Sequence, residues 1–219
     1  AADIGCAMGI TGTDVAKGNA DIIIPKNNFG SVVTAIKESR GFFGNIKKTL
    51  YYLCSCNFAE LIAIFLGACL FKTPILAAAQ LLLINLLTDC APAISFSMEK
   101  AENSVMRKKS FEKLRRILDV KSLSALAVQS IFIAILTLVS FAIGKSFSSL
   151  VASTMAFTTL GIAQGIHCFN NKLEGTIFTK DLFSNSFMNK SVLAVIFIVM
   201  FLVFTPIGFV FGLTILTFT

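Results

Sequence analysis

The chain has 219 residues, of which 55% are apolar and 14% charged, and its mean hydropathy is +0.80. A soluble domain of this length cannot bury so much apolar surface, so the composition excludes that class and predicts an integral membrane protein. The formal net charge of +7 does not indicate nucleic-acid binding, because the Lys and Arg residues cluster between apolar runs, as membrane topology requires.

Residues 1–30 differ from the rest of the chain in carrying charges, glycines and turn residues, and they predict a small α/β module. The run IGCAMGI predicts a strand or a closely packed segment, DIII predicts a buried strand, and Thr13 predicts the cap of a short helix. Ser31 predicts the cap of a longer helix that continues through residues 31–50 into the membrane. A water-soluble module joined to a membrane helix in this way would pass movement from one to the other.

Five apolar segments follow, and each has the about 20 residues that a helix needs to cross the hydrocarbon core. Helices are expected because backbone polar groups in lipid must be satisfied within the segment. The predicted fold is therefore mainly α, a polytopic α-helical membrane bundle of five transmembrane helices with a small α/β cytoplasmic remnant at the N-terminus. The predicted spans, within a membrane region of residues 51–219, are residues 51–71, 76–97, 122–143, 149–169 and 191–211.

The loops between these segments differ in basic residues. Residues 98–121 hold eight Lys and Arg, and residues 170–190 hold three. The two alternate loops hold one lysine each, Lys72 and Lys145. The positive-inside rule therefore predicts that the N-terminus and the two basic loops are cytoplasmic.

Two carboxylates lie inside the first two apolar segments, where each costs about 2.5–3.5 kcal/mol on insertion scales. Asn57 and Glu60 are three residues apart on the first segment, and Asn85, Thr88 and Asp89 are three and four apart on the second. On helices these spacings place each group on one face. The set offers two carboxylates, two amide oxygens and one hydroxyl, which suit a hard cation such as calcium better than zinc or copper. The pattern predicts an intramembrane cation site.

Gln164 on the fourth segment is a further candidate ligand, and Pro92, three residues after Asp89, is expected to free a backbone carbonyl near the site. The alternative interpretation is hydrogen bonding between helices, which accounts for Asn57 and Gln164 but does not require two carboxylates. Five oxygens on two helices do not complete a calcium shell, so another helix or water is expected to supply the rest.

Several segments resemble a known family. AADIGCAMGITGTDVAKGNADIII, NIKKTLYYLCSCNFAE and LLLINLLTDCAPA, the last followed by SMEKAENSVMRK, resemble the C-terminal part of type II P-type cation ATPases, and bacterial calcium pumps most closely. The resemblance covers essentially the whole chain. It implies that residues 1–30 end the phosphorylation domain, that residues 31–50 form a stalk helix, and that the five spans are membrane helices five to nine of ten.

The same resemblance implies which residues bind the transported ion, because the fifth and sixth helices of the family carry its ligands. The matching positions are Asn57, Glu60, Asn85, Thr88 and Asp89. Gln164 stands where the eighth helix of the family can offer a carboxylate. Cys90 stands where a glycine commonly follows the sixth-helix Asp.

The chain lacks the family's DKTGT phosphorylation motif, its nucleotide and actuator domains and its fourth membrane helix. No catalytic or cofactor-binding residue is therefore expected within it. We expect a C-terminal fragment of a pump whose missing N-terminal part binds ATP and magnesium and supplies further ion ligands.

The expected function is the transmembrane ion-binding region of an ATP-driven pump in a bacterial plasma membrane, with calcium as the transported ion. Its expected partners are that cation, the lipid bilayer and the missing part of the pump. Two alternatives stay open: a sodium, potassium or proton pump of the same family, and a non-enzymatic ion pathway or auxiliary subunit.

Overall fold

The structure is a computed structural model that describes most of the chain. The described residues are 3–25, 28, 30–99, 106, 120–172 and 182–216. The chain divides into two compact units, one of residues 1–44 with 100–111 and the other of residues 45–99 with 112–219. Most of the two basic loops on which the predicted orientation depends lies outside the described residues.

The first unit contains a small α/β element, as the sequence predicts. Strands β1 (Cys6–Met8) and β2 (Ile22–Ile24) pair in a two-stranded parallel sheet. Helix α1 (Asp14–Gly18) connects them and begins after Thr13, whose Oγ1 accepts a hydrogen bond from the backbone N–H of Ala16 at 3.2 Å. This side chain satisfies one of the amide groups that the first turn of a helix leaves unpaired.

Helix α2 (Gly30–Phe71) is 42 residues long and contributes to both units. The predicted cap at Ser31 is wrong, because the helix begins one residue earlier. Asn28 Oδ1 accepts a hydrogen bond from the N–H of Gly30 at 2.9 Å, and the Asn28 carbonyl accepts one from the N–H of Ser31. An Asn side chain can pair the amide two residues on, and here it satisfies the first N–H of the helix.

The second unit is a multi-pass helical bundle. Among the described residues, five helices are long and apolar enough to cross a membrane, which confirms the predicted fold class. Two short helices, separated at Cys90, share the second span (Ala78–Ser97). After α2, the helices of the bundle are α3 (Ala78–Asp89), α4 (Ala91–Ser97), α5 (Val120–Lys145), α6 (Ser149–Lys172) and α7 (Ser186–Phe204).

Helix α7 lies earlier in the chain than the span predicted at residues 191–211. It begins after Asn185, whose Oδ1 accepts a hydrogen bond from the N–H of Met188 at 3.0 Å. It ends before Pro206, which has no N–H to donate and disfavours helical backbone in the preceding residue. Thr205 is extended, and residues Pro206–Phe211 form a 3-10 helix. Because the apolar composition continues past this proline, hydropathy alone places the span too late.

Helix α6 is the centre of the bundle and packs against α3, α4, α5 and α7. Small residues allow these close contacts. Gly161 and Gly165 face Val199 and Val195 of α7. At the contact of α5 with α6, a Cβ on Gly144 would lie 2.6 Å from the Cα of Ala152.

Replacing Gly144 by alanine should destabilise the bundle, because the new methyl group meets backbone rather than a movable side chain. We expect a loss of about 1–3 kcal/mol in the free energy of unfolding, the usual cost of overpacking. The measurement is thermal unfolding of the protein in detergent. Gly44→Ala is the matched control, since a Cβ there has no neighbour within 4 Å, and equal stability of the two variants would contradict the packing of α5 on α6.

Candidate intramembrane cation site

The carboxylate of Glu60 lies inside the bundle, with 6% of the residue exposed. The side-chain amide of Gln164 on α6 donates a hydrogen bond from Nε2 to Glu60 Oε1 at 2.9 Å. The same nitrogen is 3.3 Å from the carbonyl oxygen of Cys56, one turn earlier on α2. A carboxylate in an apolar span needs such donors, because burying an unpaired charge is strongly unfavourable.

Asn85 on α3 contacts the same carboxylate. With its amide nitrogen turned toward Glu60, Asn85 donates to Oε1 at 2.7 Å and to Oε2 at 3.1 Å. Glu60 therefore joins α2 to α3 and to α6 through two amide side chains. Each amide carries an oxygen on its other arm, so rotation of the amide would present an oxygen in place of the donor.

Thr88 and Asp89 lie one turn further along α3. Thr88 is fully buried, and its hydroxyl donates to the Ile84 carbonyl at 3.0 Å. The same hydroxyl is 3.4 Å from Oδ1 of Asp89. Asp89 is half-buried at the end of α3, four residues after Asn85 on the same helix.

The second span is interrupted beside these residues. Cys90, with φ −81° and ψ −80°, separates α3 from α4, so the interruption occurs although the residue is not the glycine common in the family. Pro92 has no N–H to donate to the carbonyl of Thr88, four residues earlier. The hydroxyl of Tyr52 lies 3.3 Å from that carbonyl and 3.3 Å from the carbonyl of Gln164.

The structure does not bring Asn57 to the other candidate ligands. The residue is exposed, and its Nδ2 donates to the carbonyl of Leu53 on its own helix at 2.8 Å. Three residues along a helix correspond to a rotation of about 60° between side chains. This rotation places Glu60 inside the bundle and Asn57 at its edge.

Gln164 lies at the site but with its donor toward Glu60. Its Oε1 is buried and has no hydrogen-bond partner. The amide can therefore serve the carboxylate as a donor in one orientation and a cation as an oxygen ligand in the other.

Two carboxylates, two amides and one hydroxyl lie near the break in the second span, and this set suits a hard cation. Among the residues that the structure describes, no group of three or more His, Cys, Asp or Glu side chains could hold a metal ion. A calcium ion at Glu60 and Asp89 would therefore rely on amide, hydroxyl, backbone or water oxygens for the rest of its shell.

Sequence reasoning missed Tyr52, which is fully buried and lies next to the carbonyl of Thr88. The sequence points to it only indirectly, since Pro92 predicts a freed carbonyl at Thr88 but not which side chain reaches it.

His167 also forms a hydrogen bond inside the bundle, where its Nε2 lies 2.7 Å from Oγ of Ser55.

Comparison with known proteins identifies the family. Residues 73–219 match the family described as cation transporting ATPase, C-terminus. Calcium-transporting ATPase 1 of Bacillus cereus is 36% identical over 236 residues, which cover 99% of this chain and 26% of the relative. A calcium-transporting ATPase of Listeria monocytogenes is 39% identical over 193 residues, covering 88% of this chain and 22% of the relative.

A sodium/potassium-transporting ATPase subunit alpha of Hydra vulgaris is 46% identical over 108 residues, covering 49% of this chain and 10% of the relative. The chain spans about a quarter of the length of the calcium-transporting relatives described above. The family match covers more than half of the chain. It agrees with the five helices, within the described ranges, that are long and apolar enough to cross a membrane. The chain therefore belongs to the P-type cation-transporting ATPases and forms their C-terminal membrane region.

Proposed function

We propose that this region binds the transported ion of an ATP-driven calcium pump, and that the ion lies between Glu60 and Asp89. The observation that carries the proposal is the buried carboxylate of Glu60, which side chains from two other helices hold inside the membrane region. Hydrogen bonding between helices alone does not require an ionisable group at this depth. The names of the bacterial relatives support calcium as the ion.

The proposed ligands divide into three groups by their present positions. Glu60 and Asp89 supply two negative charges, which together neutralise one divalent cation. Asn85 and Thr88 lie beside them and offer neutral oxygens. Gln164 and Asn57 are the remaining proposed ligands. Gln164 must turn its amide oxygen toward the ion, and Asn57 must move from the edge of the bundle.

The rest of the proposed mechanism lies outside this chain. ATP and magnesium would bind to the N-terminal part of the pump, where an Asp would be phosphorylated. Residues 1–30 would complete the phosphorylation domain, and α2 would act as the stalk that links it to the ion site. In the proposed setting, the bacterial plasma membrane, the N-terminus of the chain is cytoplasmic, as the basic loops indicate.

Transport of sodium or potassium is the second candidate function. It is favoured by the 46% identity to the sodium/potassium-transporting subunit of Hydra vulgaris over 108 residues. An oxygen site with two carboxylates is compatible with a monovalent cation as well as with calcium.

Asp89→Asn should abolish calcium-stimulated phosphorylation in the full-length protein that the gene encodes, and Glu60→Gln should weaken the apparent calcium affinity about tenfold or more. Each variant removes one of the two charges that balance the ion, and affinity in calcium sites depends on the number of charged ligands. The measurement is phosphoenzyme formation from labelled ATP as a function of calcium concentration.

Glu38→Gln is the matched control, because Glu38 is an exposed carboxylate on the same helix as Glu60. It should leave the calcium dependence unchanged. Wild-type calcium dependence in Asp89→Asn would contradict the proposed site.

Calcium should stimulate ATP hydrolysis by the wild-type protein at lower concentrations than sodium or potassium does, because two carboxylates balance a divalent charge. The measurement compares half-maximal concentrations for the three ions in one detergent preparation. Stimulation by sodium or potassium but not by calcium would favour the second candidate. No stimulation by any of the three would contradict both.

A further inference from the structure

A second, largely buried polar cluster lies beside the C-terminal end of α4, away from the candidate site. Lys172, the last residue of α6, is 1% exposed, and its ammonium lies 3.7 Å from Oε1 of Glu99. The ammonium also donates to the carbonyl of Leu182 at 3.0 Å and to Oγ of Ser184 at 2.7 Å. We refer to Lys172, Glu99, Asn185 and Asn45 as the basal junction.

The two asparagines of the basal junction bring further helices to Glu99. Asn185 Nδ2, just before α7, donates to Oε2 of Glu99 at 2.8 Å and to the carbonyl of Ser95 in α4 at 3.0 Å. Asn45 Nδ2 on α2 donates to the backbone carbonyl of Glu99 at 2.8 Å. Glu99, two residues after α4, is therefore held by α2, by α6 and by the start of α7.

The basal junction is linked to Asp89 of the candidate site through α4, which has seven residues. Helices α2 and α6 also run between the two, since they carry Glu60 and Gln164 as well as Asn45 and Lys172. Helix α4 follows Asp89 after one intervening residue, and the break at Cys90 separates it from α3. A helix of this length rises about 10 Å, so a shift at Glu99 is not absorbed along a long element before it reaches Asp89. The contacts of Glu99 therefore help to set the position of α4 and, through it, the position of Asp89.

We propose that Lys172 is a positioning residue for the ion site, which acts through Glu99 by fixing the end of α4 and hence the carboxylate of Asp89 relative to Glu60. The inference rests on the proposed function, since it assumes that these two carboxylates bind the ion. Without the ammonium, Glu99, whose side chain is 15% exposed, keeps the neutral amide of Asn185 as its side-chain donor among the described residues, and the favoured response is movement of its side chain further toward water. That movement breaks the contact of Glu99 with Asn185 and releases the end of α4.

Lys172→Met should raise the calcium concentration for half-maximal ATP hydrolysis about tenfold, a typical size for coupling between two sites. The maximal rate per folded protein should change less than the half-maximal concentration, because the ligands themselves are unaltered. Lys172→Arg should restore most of the wild-type affinity, since it keeps the positive charge. Lys190→Met is the matched control, because Lys190 is an exposed lysine at the start of α7.

A variant with Glu99→Gln and Lys172→Met together provides the second test, since it removes both charges and leaves none unpaired in the interior. It should fold and still show the raised half-maximal concentration, because the ion pair that holds α4 is gone. Wild-type calcium dependence in this double variant would overturn the inference. Absence of calcium stimulation in the wild-type protein would instead overturn the proposed function, so the two failures are distinguishable.

Discussion

The hydrogen bonds to Glu60 are the constraint on which the membrane region depends. A carboxylate in an apolar span is tolerated only where donors or a cation compensate its charge. Gln164 approaches from α6, and Asn85 approaches from α3. Helices α2, α3 and α6 are thereby joined around one charged group rather than through apolar packing alone.

The break in the second span lies beside these hydrogen bonds and is explained by a proline. Pro92 leaves the carbonyl of Thr88 without a helical partner, and Tyr52 reaches that carbonyl from α2. In a continuous helix an N–H at position 92 would pair with this carbonyl, whereas here a side-chain hydroxyl from another helix takes that place beside Asp89. The candidate site thus has amide side chains on one side and irregular backbone on the other, and it lies where α2, α3 and α6 meet.

Much of this arrangement is readable from sequence. Runs of about 20 apolar residues predict the spans, and the cost of Glu60 and Asp89 in such runs predicts a candidate site. Hydropathy cannot locate the ends of helices, so the predicted last span, residues 191–211, extends past Pro206, before which the helix ends. Spacing also cannot distinguish the inside of a bundle from its edge when two residues differ by about 60°, and Asn57 was therefore grouped with Glu60 although it is exposed.

The orientation of Gln164 and the basal junction could not be predicted for a different reason. Which arm of an amide faces a carboxylate depends on partners from other helices, and no local pattern encodes it. Lys172 and Glu99 are separated by 73 positions, and in sequence each lies in or beside a basic loop that reads as a topology signal. Only the packing of α4, α6 and α7 brings them together.

The most direct test of the account is an experimental structure of the full-length protein with calcium bound. The account predicts an ion within about 2.3–2.6 Å of carboxylate oxygens from both Glu60 and Asp89, the usual calcium–oxygen distance. An ion bound elsewhere, or either carboxylate turned toward lipid while calcium is bound, would contradict it.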